Sequence, residues 1–470
     1  MITHVLIIMM TLMPGQAESH ISPVLGQYID LGLARNLALQ QQNFNLEQSL
    51  LALKEAHGLF YPSLSLEARY SRAGGGRTLD IPIGDLMNPV YQMLNDIQAA
   101  QGQLPSFPTN LENEEIAFLR EEEQETKLHM VQPLFQPVLF FNLKLKGHLH
   151  SMEHDVSNIY RRQLIFEIKK AYFTYLKTLQ VVQLLQKTRL LVEENLRISE
   201  KLYQSDKVTQ DVVYRSRAEL SHLDQQVASA AKDSTLAQSY FNFLLNRELD
   251  TAVDLIDEQV LEEDYVCTYA DSLSVALAHR EEIRQLQTGI RAVQQQLKIA
   301  KTENYPGLVG VLDYGFEGEN YRFSDEDDFW MASLVLQWNL FRGFQDRTKI
   351  DRSSTELRKL ELRVRELENQ ISLQVREACE VVRVAKLSIF SSRERLTSAR
   401  QSFEIVARKF EHGIVPHLVY LDARTTMTNA EINHILTRYD YQIHCAHLER
   451  VTASYSLDKN PSEQVQEAIK

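Results

Sequence analysis

The length of the uninterrupted helical runs constrains this chain more than any other feature. Residues 151–205 contain neither proline nor glycine, and neither do residues 353–411. Within the first run Ile165, Ile168, Tyr172, Tyr175, Leu179 and Val182 recur at three- and four-residue steps, the spacing of one helix face. Such a helix would be about 80 Å long at 1.5 Å per residue. Each run has a partner, at about 207–246 and about 417–456, and Gly413 and Pro416 supply turn chemistry before the second. Helices this long do not fit one compact globule of 470 residues, so the sequence predicts a rod or a tube.

The runs belong to a faint internal repeat. Ala56–Leu64 is similar to Ala300–Leu308, with a Tyr-Pro pair in each, and the same offset aligns Leu33-Ala34 with Leu277-Ala278 and Tyr70 with Tyr314. Further on, Pro133-Leu134-Phe135 pairs with Asn339-Leu340-Phe341, and Tyr203–Val208 with Phe410–Val415. The offset falls along the chain, which puts extra residues in the first half between Ser71 and Thr126. Each half begins with a helix, at about 24–58 and about 270–303, stopped by Tyr-Pro because a residue before proline avoids the helical region.

Alternating segments follow. In 63–70 Leu64, Leu66, Ala68 and Tyr70 alternate with Ser63, Ser65, Glu67 and Arg69, which predicts a strand with one apolar face. Leu128, Met130 and Leu134 share one parity of a second strand. Leu308, Gly310, Leu312, Tyr314 and Phe316 mark a third. The fourth carries Trp330, Ala332, Leu334, Leu336, Trp338 and Leu340. Strands of about 9–12 residues with aromatic ends suit a membrane β-barrel, and Tyr70, Tyr314, Trp330 and Trp338 are the candidate lipid-facing aromatics. A soluble sandwich has the same alternation. Four membrane strands cannot close, because the smallest such barrels have about eight, so copies of the chain would share one barrel. The segment 71–126 reads as an outside loop or a cap, with Gly74-Gly75-Gly76 as a turn, and the acidic segment 317–328 as a second loop.

The net charge of −13, from 50 basic and 63 acidic residues, argues against a nucleic-acid partner. No apolar run is long enough for a spanning helix. Val5–Met13, followed by Pro14 to Ala17, reads as a secretory signal over 1–17, although Met1–His4 lacks a basic residue, and no Cys follows to carry a lipid. Cys267, Cys379 and Cys445 are scattered, which predicts three small buried side chains and no disulfide framework. His150-Ser151-Met152-Glu153-His154 has an inverted zincin spacing, and His444-Cys445-Ala446-His447 is a second cluster. Neither has a cleft or a further ligand in view. The reading is therefore no enzyme, no cofactor and no metal. A soluble periplasmic long-helix adaptor and, remotely, a zinc hydrolase at the HxxEH remain as alternatives.

The order of these segments, with Leu277-Ala278-His279-Arg280, the two Tyr-Pro pairs, Asn339-Leu340-Phe341, Leu249-Asp250 and Phe410–Pro416 followed by Leu418–Ala423, resembles the TolC-like outer membrane efflux protein family over about residues 24–456. The resemblance implies a mainly α fold with a β-barrel part. A duplicated helix–strand–strand–long helical hairpin unit would build a homotrimer with a twelve-stranded outer membrane barrel continued by a periplasmic α-helical barrel. It implies domains at 18–247 and 269–456, a belt at 248–268 and a tail at 457–470. It also implies a passive channel of a tripartite efflux or type I secretion system, served by an inner-membrane pump and a periplasmic adaptor. Asp422 matches an acidic position of the family's constriction, while Val419 and Val415 depart from that pattern. Asp206 and Asp211 are candidate lining residues on the first hairpin.

Overall fold

The computed structural model describes residues 22–256 and 267–457. The expected signal segment, most of the tail and residues 257–266 of the expected belt lie outside the described residues. The fold is mainly helical and divides into two compact units, each drawn from both halves of the chain. The first takes in the chain to Ala52, Leu145–Gln294 and the chain from Ser354 on; the second comprises Leu53–Lys144 and Gln295–Ser353.

The chain starts with α1 (Pro23–Arg35) and α2 (Leu37–Gly58), where the hydrophobic pattern predicted one helix. Asn36 separates them in an extended conformation (ψ 121°). Its side chain donates to the Leu244 carbonyl (2.9 Å) and accepts from Leu39 N–H (3.0 Å), so one buried residue caps α2 and pins a distant helix. Arg280 breaks α6 (Tyr269–His279) from α7 (Glu281–Thr302) in the same extended conformation (ψ 126°). It is buried and reaches Glu282 (2.6 Å) and Gln374 (2.6 Å).

The long runs form α4 (Pro137–Gln204), α5 (Gln210–Leu244), α8 (Gln345–Glu411) and α9 (His417–Thr452). The 68 residues of α4 rise about 100 Å at 1.5 Å each. In the helical unit one core joins Tyr28 and Ile29 of α1, Ile168 and Tyr172 of α4, Phe241 of α5 and Tyr439 of α9. A Cβ on Gly32 would run into the Ile168 and Leu245 side chains, so glycine there lets α1 lie close. A second core joins Ala276, Ile283, Ile371, Val375, Val382, Leu448 and Val451. Two ion pairs tie helices together in this unit, Lys169 with Glu449 and Arg162 with Glu281 (2.8 Å).

Two expectations are corrected here. Cys267 and Cys379 form a disulfide, with Cα atoms 5.7 Å apart across 112 residues of sequence. Folding brings the segment before α6 onto α8, which no spacing in the sequence announces. Cys445 alone is a free buried thiol, and burial pushes it up to about 12. The segment 71–126 is more than a loop: it holds β2 (Thr78–Ile81), α3 (Ile83–Ala100) and β3 (Glu114–Ala117). Gly75 and Gly76 do make a turn there, at φ +74° and +105°.

Cys379→Ser should destabilise the helical unit by about 2–5 kcal/mol, the usual effect of losing a disulfide that closes a long loop. Denaturant unfolding of the variant and of the parent, with and without reductant, measures it.

Candidate functional site

The second unit carries a four-stranded antiparallel sheet, β1 (Ser63–Arg72), β4 (Glu122–Phe135), β5 (Gly307–Gly318) and β6 (Asp328–Gln337), in the order β1-β4-β5-β6. The register aligns Leu66, Leu128, Tyr314 and Trp330 across one face, and Leu64, Met130, Leu312 and Ala332 beside them. That face is apolar from edge to edge and largely uncovered: Leu66 is 70% exposed, Trp330 73% and Leu334 73%. The other face carries charge. Lys127 bonds Glu125 (2.7 Å), Arg69 reaches Glu125 (3.2 Å), and His129 Nδ1 meets Asp313 (2.5 Å). Among the described residues, β1 and β6 each pair on one side only.

Aromatic side chains gather at both ends of the apolar face. Tyr70 stacks on Tyr321 (6.2 Å between ring centres), and Tyr314 and Phe323 each meet Phe316 edge to face (6.1 and 5.2 Å). Trp330 lies at this end of β6. Trp338, expected within the fourth strand, lies one residue past it, and Leu340 lies further out; the indole N–H donates to the Asn304 carbonyl (3.0 Å). The ten residues of β6 span about 33 Å at about 3.3 Å each, enough to cross the roughly 25 Å apolar band of an outer membrane barrel.

The helical hairpins of the first unit turn at 205–209 and 412–416. Both turns use one hydrogen-bond pattern. Asp206 N–H donates to Tyr203 and Lys207 N–H to Leu202; Gly413 N–H donates to Phe410 and Ile414 N–H to Lys409. Gly413 takes φ +68°, and Asp206 takes φ +56° where glycine would be freer, which gives Asp206 a turn role of its own. Asp211 sits in the first turn of α5, bonded to Thr209 and 3.7 Å from Arg215. Asp422 is exposed on α9, six positions along the helix, so it does not cap it.

Sequence reasoning missed the polar seam beside these turns. His417 Nε2 lies 3.2 Å from Asn195 of α4 and 3.4 Å from Ser216 of α5, and Ser216 meets Ser199 (3.2 Å). Seven residues on, Arg424 is buried and leaves its Nε and Nη1 without a partner. Hydrophobic periodicity cannot find such residues, because they occupy the apolar stripe as polar exceptions. The two histidine clusters assemble nothing further. His150 bonds Ser49 (2.8 Å), His154 is exposed, and His447 packs on Phe166 and Arg450. Among the described residues no three His, Cys, Asp or Glu side chains are grouped to hold a metal. None of the described helices is long and apolar enough to cross a membrane.

Residues 272–454 match the outer membrane efflux protein family. The fold is similar to that of the Campylobacter jejuni CmeC outer membrane channel over 95% of this chain and 89% of that one, at 14% identity and a TM-score of 0.76. Vibrio cholerae outer membrane protein VceC shares the fold at 13% identity, over 91% of this chain and 95% of that one, with a TM-score of 0.70. The open-state MtrE outer membrane channel of Neisseria gonorrhoeae does so at 14% identity, over 92% and 89%, with a TM-score of 0.72. No curated protein matches the sequence.

The seam at His417 holds a titratable side chain. Burial holds His417 below its usual 6.5, Arg215 pushes the same way and Asp211 opposes. The folded chain then binds fewer protons there than the unfolded chain, so stability is lost as pH falls below about 6.5. The heat-unfolding midpoint should drop between about pH 7 and about pH 5, and His417→Gln should flatten part of that drop.

Proposed function

We propose that the protein is a passive outer membrane channel formed by three copies of the chain. One observation carries the reading: a four-stranded sheet whose apolar face is uncovered and whose two edges, among the described residues, have no strand partner. In lipid every backbone N–H and C=O must be paired, so such a sheet has to close. Four strands are too few for one chain, and three copies supply twelve. The apolar face would meet lipid, and the Lys127–Glu125 and His129–Asp313 face would line the passage. The extended breaks at Asn36 and Arg280, 244 residues apart, support the reading of a duplicated unit with repeats at 18–247 and 269–456. Tyr70, Tyr314 and Trp330 would lie at one rim of the apolar band, and Trp338 at the other.

The long hairpins would form the periplasmic passage, with Asp422, Asp206 and Asp211 as candidates for its constriction. The likeness to efflux channels favours service in a tripartite efflux or type I secretion system. A periplasmic adaptor and an inner-membrane pump would bring small molecules or proteins to the channel.

Membrane fractionation followed by the native mass of the detergent-extracted protein tests this first. An outer membrane particle of three chains is the expected result, and a soluble or single-chain particle overturns it. Leu334→Lys puts a charge at the middle of the apolar face, worth about 2–4 kcal/mol against insertion. It should sharply lower the amount of protein assembled in the membrane fraction. A ring of Asp422 carboxylates would favour cations. Asp422→Ala should therefore raise relative anion permeability, read as a shift in reversal potential across a planar bilayer; an unchanged potential removes Asp422 from the constriction.

A further inference from the structure

Helix α3 turns its polar side to its own chain and leaves its apolar side open. Asn88 exchanges two hydrogen bonds with the Leu111 backbone (2.9 Å each), and Asn95 exchanges two with Phe107 (2.8 and 2.9 Å). Tyr91 stacks on Phe107 at 5.5 Å, and a Cβ on Gly84 would collide with the Leu111 carbonyl. These contacts fix α3 to the return segment 105–113 through Asn88, Tyr91 and Asn95. Leu86, Val90, Met93 and Ile97 line another face, with Leu86 66% and Met93 64% exposed. Their steps of four, three and four residues are the a/d seam of helices that pack against helices.

Two observations choose what covers the seam. Helix α3 contains no Lys or Arg and carries Asp85 and Asp96, whereas helices that lie on anionic lipid are basic on the polar face. The arm that bears α3 also continues the β1–β4 pairing: Ala73 N–H donates to Glu121 (2.9 Å), Phe118 N–H donates to Arg77 (3.0 Å), and β2 pairs with β3 beyond. The unpaired edges of that sheet call for further copies of this chain, and the rotation that joins the sheets also sets the arms around the same axis.

We infer that α3 of each copy packs through Leu86, Val90, Met93 and Ile97 against α3 of the other copies, forming a helical cap at the mouth of the shared barrel. The inference rests on the channel reading above and adds a second interface to it.

Thiol cross-linking in outer membranes tests the cap on the full-length protein. The native cysteines do not compete, since Cys267 and Cys379 are joined and Cys445 is buried. Met93→Cys places a thiol in the seam, and Gln92→Cys places one on an exposed neighbouring face. A short bis-maleimide should join Met93→Cys chains with a yield several-fold above Gln92→Cys, while the native mass stays at three chains. A three-chain particle in which neither thiol cross-links, and both react equally with a water-soluble maleimide, overturns the cap and leaves the channel standing. Protection of Met93→Cys from that reagent but labelling by a bilayer-dissolved maleimide assigns the seam to lipid and also overturns it. A single-chain particle overturns the channel reading and the cap with it.

Discussion

The structure depends on one unmet need, the backbone pairing at the two edges of a sheet whose apolar face is bare. An unpaired strand edge in water is a site for uncontrolled association, and proteins blunt it with charges, prolines or a covering element. Here the apolar parity of β1 and β6 runs to the edge with Leu64, Leu66, Leu334 and Leu336. In the channel proposed above, the two deficits would have one joint remedy: lipid against the face and further copies of the chain at the edges. On the opposite face Lys127, Glu125 and Arg69 satisfy one another, as do His129 and Asp313, so one side of the sheet is apolar and the other charged.

The helical unit solves a different problem. Long amphipathic helices slide easily along one another, because an apolar stripe looks similar at every turn. Polar residues inside the stripe remove that freedom. Lys169 with Glu449, Arg162 with Glu281, and Asn36 with the Leu244 carbonyl each fit at one register only. The Cys267–Cys379 disulfide adds a covalent tie between the segment before α6 and α8. At the hairpin turns, the His417–Asn195–Ser216 seam joins α9 to the other hairpin through hydrogen bonds rather than apolar packing. Such a contact can be remade with water when helices part, which a dry core cannot do without exposing apolar surface.

Much of this was legible in the sequence. The runs without proline or glycine became α4, α5, α8 and α9, because period-3.6 burial and strong helix formers agree along them. The alternating segments became β1, β4, β5 and β6 with the apolar parity as read. Other features were hidden for physical reasons. The breaks at Asn36 and Arg280 arise from long-range bonds, not local propensity. Helix α3 was masked by Pro82 at its N-cap, by Pro89 in its interior, where proline normally breaks a helix, and by the glycines around it. Trp338 followed the strand alternation in sequence, but the ladder ends at Gln337, opposite Gly307, and the next residue on that partner strand is Pro306, which has no N–H. Arg424 and His417 looked like ordinary helix positions until their neighbours were known.

The sequence by itself determined the kinds and lengths of the elements, since period, chain stiffness and turn chemistry are local. Which face of the sheet is apolar was settled there too, because side chains alternate strictly along a strand. Only the tertiary structure decided which residues meet across a hundred or more positions, as in the disulfide, the Asn36 pin and the seam at His417, and how the shorter-range bonds of Asn88 and Asn95 turn the apolar side of α3 outward. Those contacts depend on how elements are packed, and packing is a property of pairs of surfaces that no single segment contains.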